Sequence, residues 1–311
     1  AIMSLFKTEV HPRLAKKILS EEHDIFAKAM VILGRFTRSN ARYIVGVAAV
    51  VVLVGALAAS SIIVNEDRIE TFHHSEPLYI ANKVINDRFD GSNYLDIVIE
   101  THEDEGIFDP DVLRKIDALQ IYAQSLPEVA GATSVVDYLK QMNRALNGGG
   151  VDEYKTPNDR NLIAQYFLLY SASSDPTDFE EEIDYDYRLA NVRVTLSSGA
   201  YIENKSVVVA MDQYLLDTFN DNTVVGTLSG RVNLTYHWIK DLGPSHFLGV
   251  AIALLLVWLV SSLLFRSAVA GTFSLIPVAI SILMVYSAMV FFAIPLGVGT
   301  SMFAAVAIGL G

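Results

Sequence analysis

Three apolar runs, Tyr43 to Ile63, Phe247 to Phe265 and Val269 to Phe292, are each long enough to cross a bilayer. They constrain this chain more than any motif does, because backbone inside hydrocarbon must satisfy its own N–H and C=O groups and is therefore helical. Between the first and second runs lies a polar block, from about Asn65 to Asp241, the size of one ordinary domain. Composition agrees with this segregation. A mean hydropathy of +0.36 with 52% hydrophobic residues is high for a soluble chain, yet 19% charged residues is too many for one buried throughout in lipid.

Lysine and arginine placement sets the expected orientation. Arg35, Arg38 and Arg42 crowd the approach to the first span, with Lys16, Lys17 and Lys28 upstream, and the turn between the second and third spans carries Arg266 and no acid. The positive-inside rule puts both on the cytoplasmic side. Residues 1–42 then form a cytoplasmic leader, 43–64 the first span and 65–241 an external domain. Residues 245–265 and 269–292 form the second and third spans, and 294–311 the truncated start of a fourth. The first span is too long for a signal h-region, and about forty residues of charged sequence precede it, so it is not a cleaved signal peptide. In the leader, Leu14, Ile18, Ile25, Phe26, Ala29 and Leu33 share roughly one helical face. Two readings fit this face, a helix lying on the inner membrane surface and a solvated leader that frays.

Most of the net charge of −12 falls on the external domain, since the leader is basic and the spans nearly neutral. An acidic exterior argues against nucleic acid as a partner and against docking on an anionic membrane surface. The chain has no cysteine, which excludes disulfides and thiolate metal sites.

Within the polar block, strands and helices alternate. Tyr94 to Glu100 reads as a strand, and Asp109-Pro-Asp opens a helix whose Val112, Ile116, Leu119 and Ala123 share one face. Pro127 ends that helix region, and Val129 to Val136 offers a second strand. The order then repeats: Asn191 to Leu196 a strand, Asn204 to Phe219 a helix with Val207, Val208, Met211 and Leu215 inward, and Thr223 to Leu228 a strand. Two such units predict a split, ferredoxin-like α+β sandwich. Between them, Gly148-Gly-Gly marks a flexible joint, Asn158 to Tyr170 a further helix, and the acidic stretch Asp178 to Asp186 a solvated loop or helix end.

Patterns that carry covalent chemistry are scarce. The chain holds no Gly-rich phosphate loop, HExxH, Gly-x-Ser-x-Gly or EF-hand loop. His73 and His74 are adjacent, which suits neither a helical metal pair nor one strand face. His102 with Glu103, Asp104 and Glu105 reads as a charged turn after a strand. Trp238 and His237 suit an interface just before the second span. The apolar runs carry no ionisable residue of the kind that marks an ion path, and their hydroxyls, among them Ser274, Ser281, Tyr286, Ser287, Thr300 and Ser301, are expected to bond back to helix carbonyls or to neighbouring helices. Neither catalysis nor a cofactor is expected. Gly297, Ser301, Ala305 and Gly309 recur at every fourth position of the last run, which puts four small residues on one helical face. That face suits close packing against another membrane helix; the alternative is an ordinary lipid-exposed span rich in Gly and Ala, against which four consecutive hits on one stripe count.

Four stretches resemble one half of a resistance–nodulation–division (RND) permease, most closely its MMPL-type exporter branch. They are FDPDVLRKIDALQIYAQSLPEVAGATSV from Phe108, DYDYRLANVRVTL from Asp184, LFRSAVAGTFSLIPV from Leu264 and AIPLGVGTSMFAAVAIGLG from Ala293. The likeness covers nearly all of the chain after Arg35. It implies an α-helical bundle carrying an external, ferredoxin-like porter domain, in a bacterial inner membrane, that exports lipids or other hydrophobic molecules using the proton gradient. It implies as partners membrane lipid, a lipid-like substrate and the remaining helices of the full permease, with a second copy or a periplasmic accessory protein left open. In that family the fourth span continues to an acidic proton site. Gly309 and Gly311 match the glycines leading to it, and the acid itself would lie about two positions past Gly311. Two other readings fit the layout, an ABC permease of the mechanotransmission type with a separate ATPase, and a membrane-anchored external sensor or assembly module.

Overall fold

The computed structural model describes residues 25–89, 91–173, 181–219 and 223–310. It begins with α1 (Ile25–Ser39), breaks at Asn40 and continues as α2 (Ala41–Ser60). A polar domain follows, built from α3 (Pro77–Arg88), β1 (Asn93–Thr101), α4 (Pro110–Gln124), β2 (Val129–Thr133), α5 (Val135–Leu146), α6 (Arg160–Ser173), β3 (Leu189–Leu196), α7 (Tyr201–Thr218) and β4 (Val224–Ser229). The remainder is α8 (Gly230–Phe265), α9 (Ala268–Phe291) and α10 (Val298–Leu310). Leu14 and Ile18 of the leader, Asp178 of the acidic stretch and Gly311 lie outside the described residues.

Helices α2, α8 and α9 are long and apolar enough to cross a membrane, and the chain is a membrane protein. Helix α9 is the centre of this bundle and packs on both α2 and α8. Its buried Val278, Ile282, Tyr286 and Met289 form one apolar cluster with Leu296, to which Ile62, Val64, Val250 and Leu254 add. Small residues set the closest approaches. A Cβ on Gly55 would stand 2.7 Å from that of Leu283, and one on Gly271 would collide with the Ser262 hydroxyl.

The domain is built on one four-stranded antiparallel sheet in the order β2-β3-β1-β4. The two β-α-β units interleave: β1 and β2 flank β3, while β3 and β4 flank β1. Period-2 alternation buries Leu95, Ile97 and Ile99 of β1 and Val192, Val194 and Leu196 of β3. Against that face lie Val112, Ile116, Leu119 and Ala123 of α4 and Val207, Val208, Met211 and Leu215 of α7, the same helical faces that the spacing picks out. Asp109 caps α4 through the Asp111 amide, with Pro110 in the first turn.

Three segments differ from the sequence reading. The strand expected through Val136 stops at Thr133, because Ser134 and Asp137 form a capping box that starts α5. Residues 242–244, left between the domain and the second span, are helical; α8 runs unbroken for 36 residues with Pro244 inside it. The last apolar run becomes helical at Val298 rather than at Ile294.

The sheet thus passes into a membrane helix with no intervening loop. Gly230 makes the corner: its φ is +81°, and a Cβ there would stand 2.7 Å from Asp96 Oδ2 on the neighbouring strand. Gly230→Ala should therefore destabilise the protein by at least about 1 kcal/mol. Gly249→Ala, on a face of α8 open for 4 Å around the glycine, should stay within about 0.5 kcal/mol of the parent. Urea unfolding in detergent, followed by the fluorescence of Trp238 and Trp258, measures both.

Candidate functional site

The loop leaving α2 meets the segment entering α10 where domain and bundle join. The Leu296 amide donates to the Ile63 carbonyl at 2.7 Å, and the Asn65 amide donates to the Leu296 carbonyl at 3.2 Å. This parallel bridge between Val64 and Leu296 fixes the position of the next two residues, Asn65 and Glu66.

The first turn of any helix leaves amides without intrahelical partners. In α10, Glu66 Oε2 accepts from the Val298 amide at 2.8 Å, and Thr300 Oγ1 accepts from the Gly297 amide at 2.8 Å. The positive end of the helix dipole favours a carboxylate there, by about 0.3–1 kcal/mol when exposed and more when partly buried. The same dipeptide serves α7. Asn65 Oδ1 accepts from the Ile202 amide at 3.1 Å, and the Glu66 carbonyl accepts from the Tyr201 amide at 3.3 Å. Ala200, at the N-cap of α7, has no side-chain oxygen for the task. Two adjacent residues therefore cap two helices, one in the polar domain and one at the head of the last apolar run.

Gly297, the first residue of the small-residue stripe, is the seat of this arrangement. A Cβ on it would collide with the Glu66 carboxylate and stand 3.1 Å from the Asn65 carbonyl oxygen. Ser301, the second, donates its hydroxyl to the Val298 carbonyl of its own helix at 2.7 Å. Ala305 and Gly309 lie further along α10, which packs on α8 and α9; their side-chain surroundings, like Gly311, fall outside the described residues.

Beside the double cap opens a cleft of about 640 Å³ with an acidic rim, bordered by Asp67, Glu70, Glu203, Ser198, Pro295 and Thr300. Among the described residues, no group of three or more His, Cys, Asp or Glu side chains is placed to hold a metal ion. Tyr201 stacks on Tyr236 of α8 at 5.7 Å, a second tie between α7 and the membrane-crossing helix. Burial pushes the Tyr201 phenol above its ordinary pKa, with Tyr236 and Asp241 adding to the effect, so it stays neutral at physiological pH.

The other residues singled out in the sequence are dispersed. His73 bonds to Ser75, His74 stacks on Tyr79, and His102 Nδ1 lies 3.3 Å from the Thr223 carbonyl oxygen. Trp238 lies under the Arg68 guanidinium. Ser274, Ser281 and Ser287 bond back to carbonyls of their own helix. Sequence reasoning missed one pair inside the bundle. His246 of α8, one residue before the apolar run at Phe247, lies with Nε2 2.9 Å from the hydroxyl of buried Tyr286 on α9. It missed the double cap as well, since Asn65 and Glu66 are common cap residues whose helices begin more than 130 positions away.

The chain matches no protein-family model and no curated protein.

If Gly297 seats Glu66, the two are energetically coupled. Glu66→Ala should cost about 0.5–2 kcal/mol and Gly297→Ala at least as much. The double variant should then cost clearly less than the sum, by about 0.5 kcal/mol or more, in chemical unfolding of the purified protein. Strict additivity would show that the glycine serves something else.

Proposed function

We propose that this chain is the scaffold and substrate-handling domain of a membrane transporter, an RND permease of the MMPL type that exports lipids or other hydrophobic molecules using the proton-motive force. The observation that carries this reading is the double cap. Through Asn65 and Glu66, the head of α10 and the head of α7 share one anchor, so a displacement of α10 within the bundle is felt directly by the domain. The unbroken run from β4 into α8 adds a stiff second connection. Coupling of this kind is what a porter needs and a passive anchor does not.

The strand order and the two interleaved β-α-β units support a ferredoxin-like, porter-type domain. The orientation follows from charge. The end of α2 that begins beside Arg42 and the end of α8 at Arg266 both lie away from the domain along the chain, so positive-inside placement puts the domain outside a bacterial inner membrane. The chain is not an enzyme in this reading, and it needs no cofactor. Energy conversion belongs to an acidic residue beyond Gly311, toward which Gly309 and Gly311 lead.

Two results test the proposal. The gene should encode an acid about two positions past Gly311, followed by further apolar spans. In proteoliposomes of the full-length protein, an imposed proton gradient should then drive net movement of a fluorescent lipid, and replacing that acid by its amide should abolish the movement without unfolding the protein. Transport that persists without the gradient, and requires ATP and a co-reconstituted ATPase partner, would instead establish the permease with a separate ATPase. A folded protein that moves no lipid under either energy source would favour the anchored sensor.

A further inference from the structure

Helix α3 is built inside out. Its polar residues Tyr79, Asn82 and Asn86 are half-buried, while Leu78, Ile80, Val84, Ile85 and the following Phe89 are exposed. The exposures are large for such side chains, 52% for Leu78, 50% for Ile80 and 68% for Phe89. At 100° per residue, Leu78, Ala81, Val84, Ile85 and Phe89, with Arg88 among them, lie on one side of the helix; Tyr79, Asn82 and Asn86 lie on the inward side, and Lys83 and Asp87 stand exposed beyond it. Scattered surface apolar residues are ordinary, but a helix that turns its polar face inward and its apolar face outward is not.

The polar face is held by specific bonds. Ser92 donates its hydroxyl to Asn82 Oδ1 at 2.7 Å, the Tyr79 hydroxyl donates to Glu70 Oε1 at 3.3 Å, and the His74 ring stacks on Tyr79 at 4.4 Å. These anchors also place the helix at the seam between domain and membrane. Glu70 and Thr71 border the same cleft as Ile294, Pro295 and Thr300 at the head of α10. Arg68, two residues earlier, lies over exposed Trp238 on α8, a pairing of cation and indole suited to the headgroup layer.

We propose that α3 is an interfacial helix, whose face of Leu78, Val84, Ile85 and Phe89 is embedded at the boundary between headgroups and acyl chains of the leaflet next to the domain. The lipid surface is the occupant that the setting favours, because Tyr79 of α3 bonds to Glu70, which borders the same cleft as Pro295 and Thr300 at the head of α10. Arg88, in the last turn, has the length to lay its stem along that face and keep its charge among phosphates. Apolar insertion drives the contact, so the acidic net charge of the chain does not oppose it and zwitterionic lipid suffices. The inference is independent of the transport reading and would hold for an anchored module as well.

The absence of cysteine makes a direct test simple. Single variants L78C, V84C and I85C on the apolar side, with K83C and D87C as controls on the exposed polar side, are labelled with a small environment-sensitive fluorophore. The full chain is then reconstituted in phosphatidylcholine vesicles. Quenching by lipids carrying a spin label near the headgroup end of the acyl chain should be at least about threefold stronger at positions 78, 84 and 85 than at 83 and 87, and quenching by aqueous iodide correspondingly weaker. Equal iodide quenching on both sides would overturn the proposal in favour of a solvated helix. Protection of positions 78, 84 and 85 from both quenchers would overturn it in favour of a protein partner. Three positions on one face keep the outcome readable if a single variant fails to reconstitute.

Discussion

One of the two joins between the domain and the bundle depends on the amides at the heads of two helices. A helix end hidden at a crowded junction cannot leave its first N–H groups bare, since an unmade hydrogen bond away from water costs about 1–3 kcal/mol. Asn65 and Glu66 meet that demand for α7 and α10 together. Their reach is possible only because the Val64–Leu296 bridge sets the exit of α2 alongside the entry of α10, and because Gly297 leaves room for a carboxylate where a side chain would otherwise be. Remove any of these and the other two lose their purpose.

The two connections between domain and bundle differ in kind. At Gly230 the chain turns from β4 into α8 and stays helical across the junction, so no loop separates the sheet from that span. At Asn65 and Glu66 the tie is made of a few hydrogen bonds, each worth on the order of 0.5–1.5 kcal/mol net and somewhat more where charge is involved. Such a tie can break and re-form on the scale of ordinary conformational free energies, while the helix cannot.

What the sequence made legible was periodic and local. The three spans, the inward faces of α4 and α7, the alternation of β1 and β3 and the capping of α4 at Asp109 are all written within windows of a few turns. The misses share a different cause. The capping box at Ser134 and Asp137 was overlooked because Val135 and Val136 continued an apparent strand, and a local cap outweighed β-branched propensity. Residues 242–244 were left between the domain and the second span, yet the helix runs through Pro244 without a break. His246 escaped notice because the apolar run was counted from Phe247, and its partner Tyr286 stands 40 positions away on α9. Gly297 was noticed for its spacing, while its reason for being glycine lies in a carboxylate 231 positions earlier that no periodicity can reveal.

The stripe of small residues consequently divides into parts with separate physical roles. Gly297 answers to Glu66, and Ser301 answers to its own helix. Among the described residues, tight contacts between membrane helices are made by Gly55 on Leu283 and Gly271 on Ser262. Spacing alone identifies a face, and a face accommodates whatever approaches it: another helix, a carboxylate or lipid. Only the neighbour decides. For the head of α10 the neighbour is a charge placed by the chain that leaves α2, so that end of the helix is oriented by electrostatics before packing further along acts on it. A helix pinned at its head and packed along its length can respond to a change deeper in the bundle by turning about that pin. In the proposed transporter, the cap shared with α7 would carry such a turn into the domain.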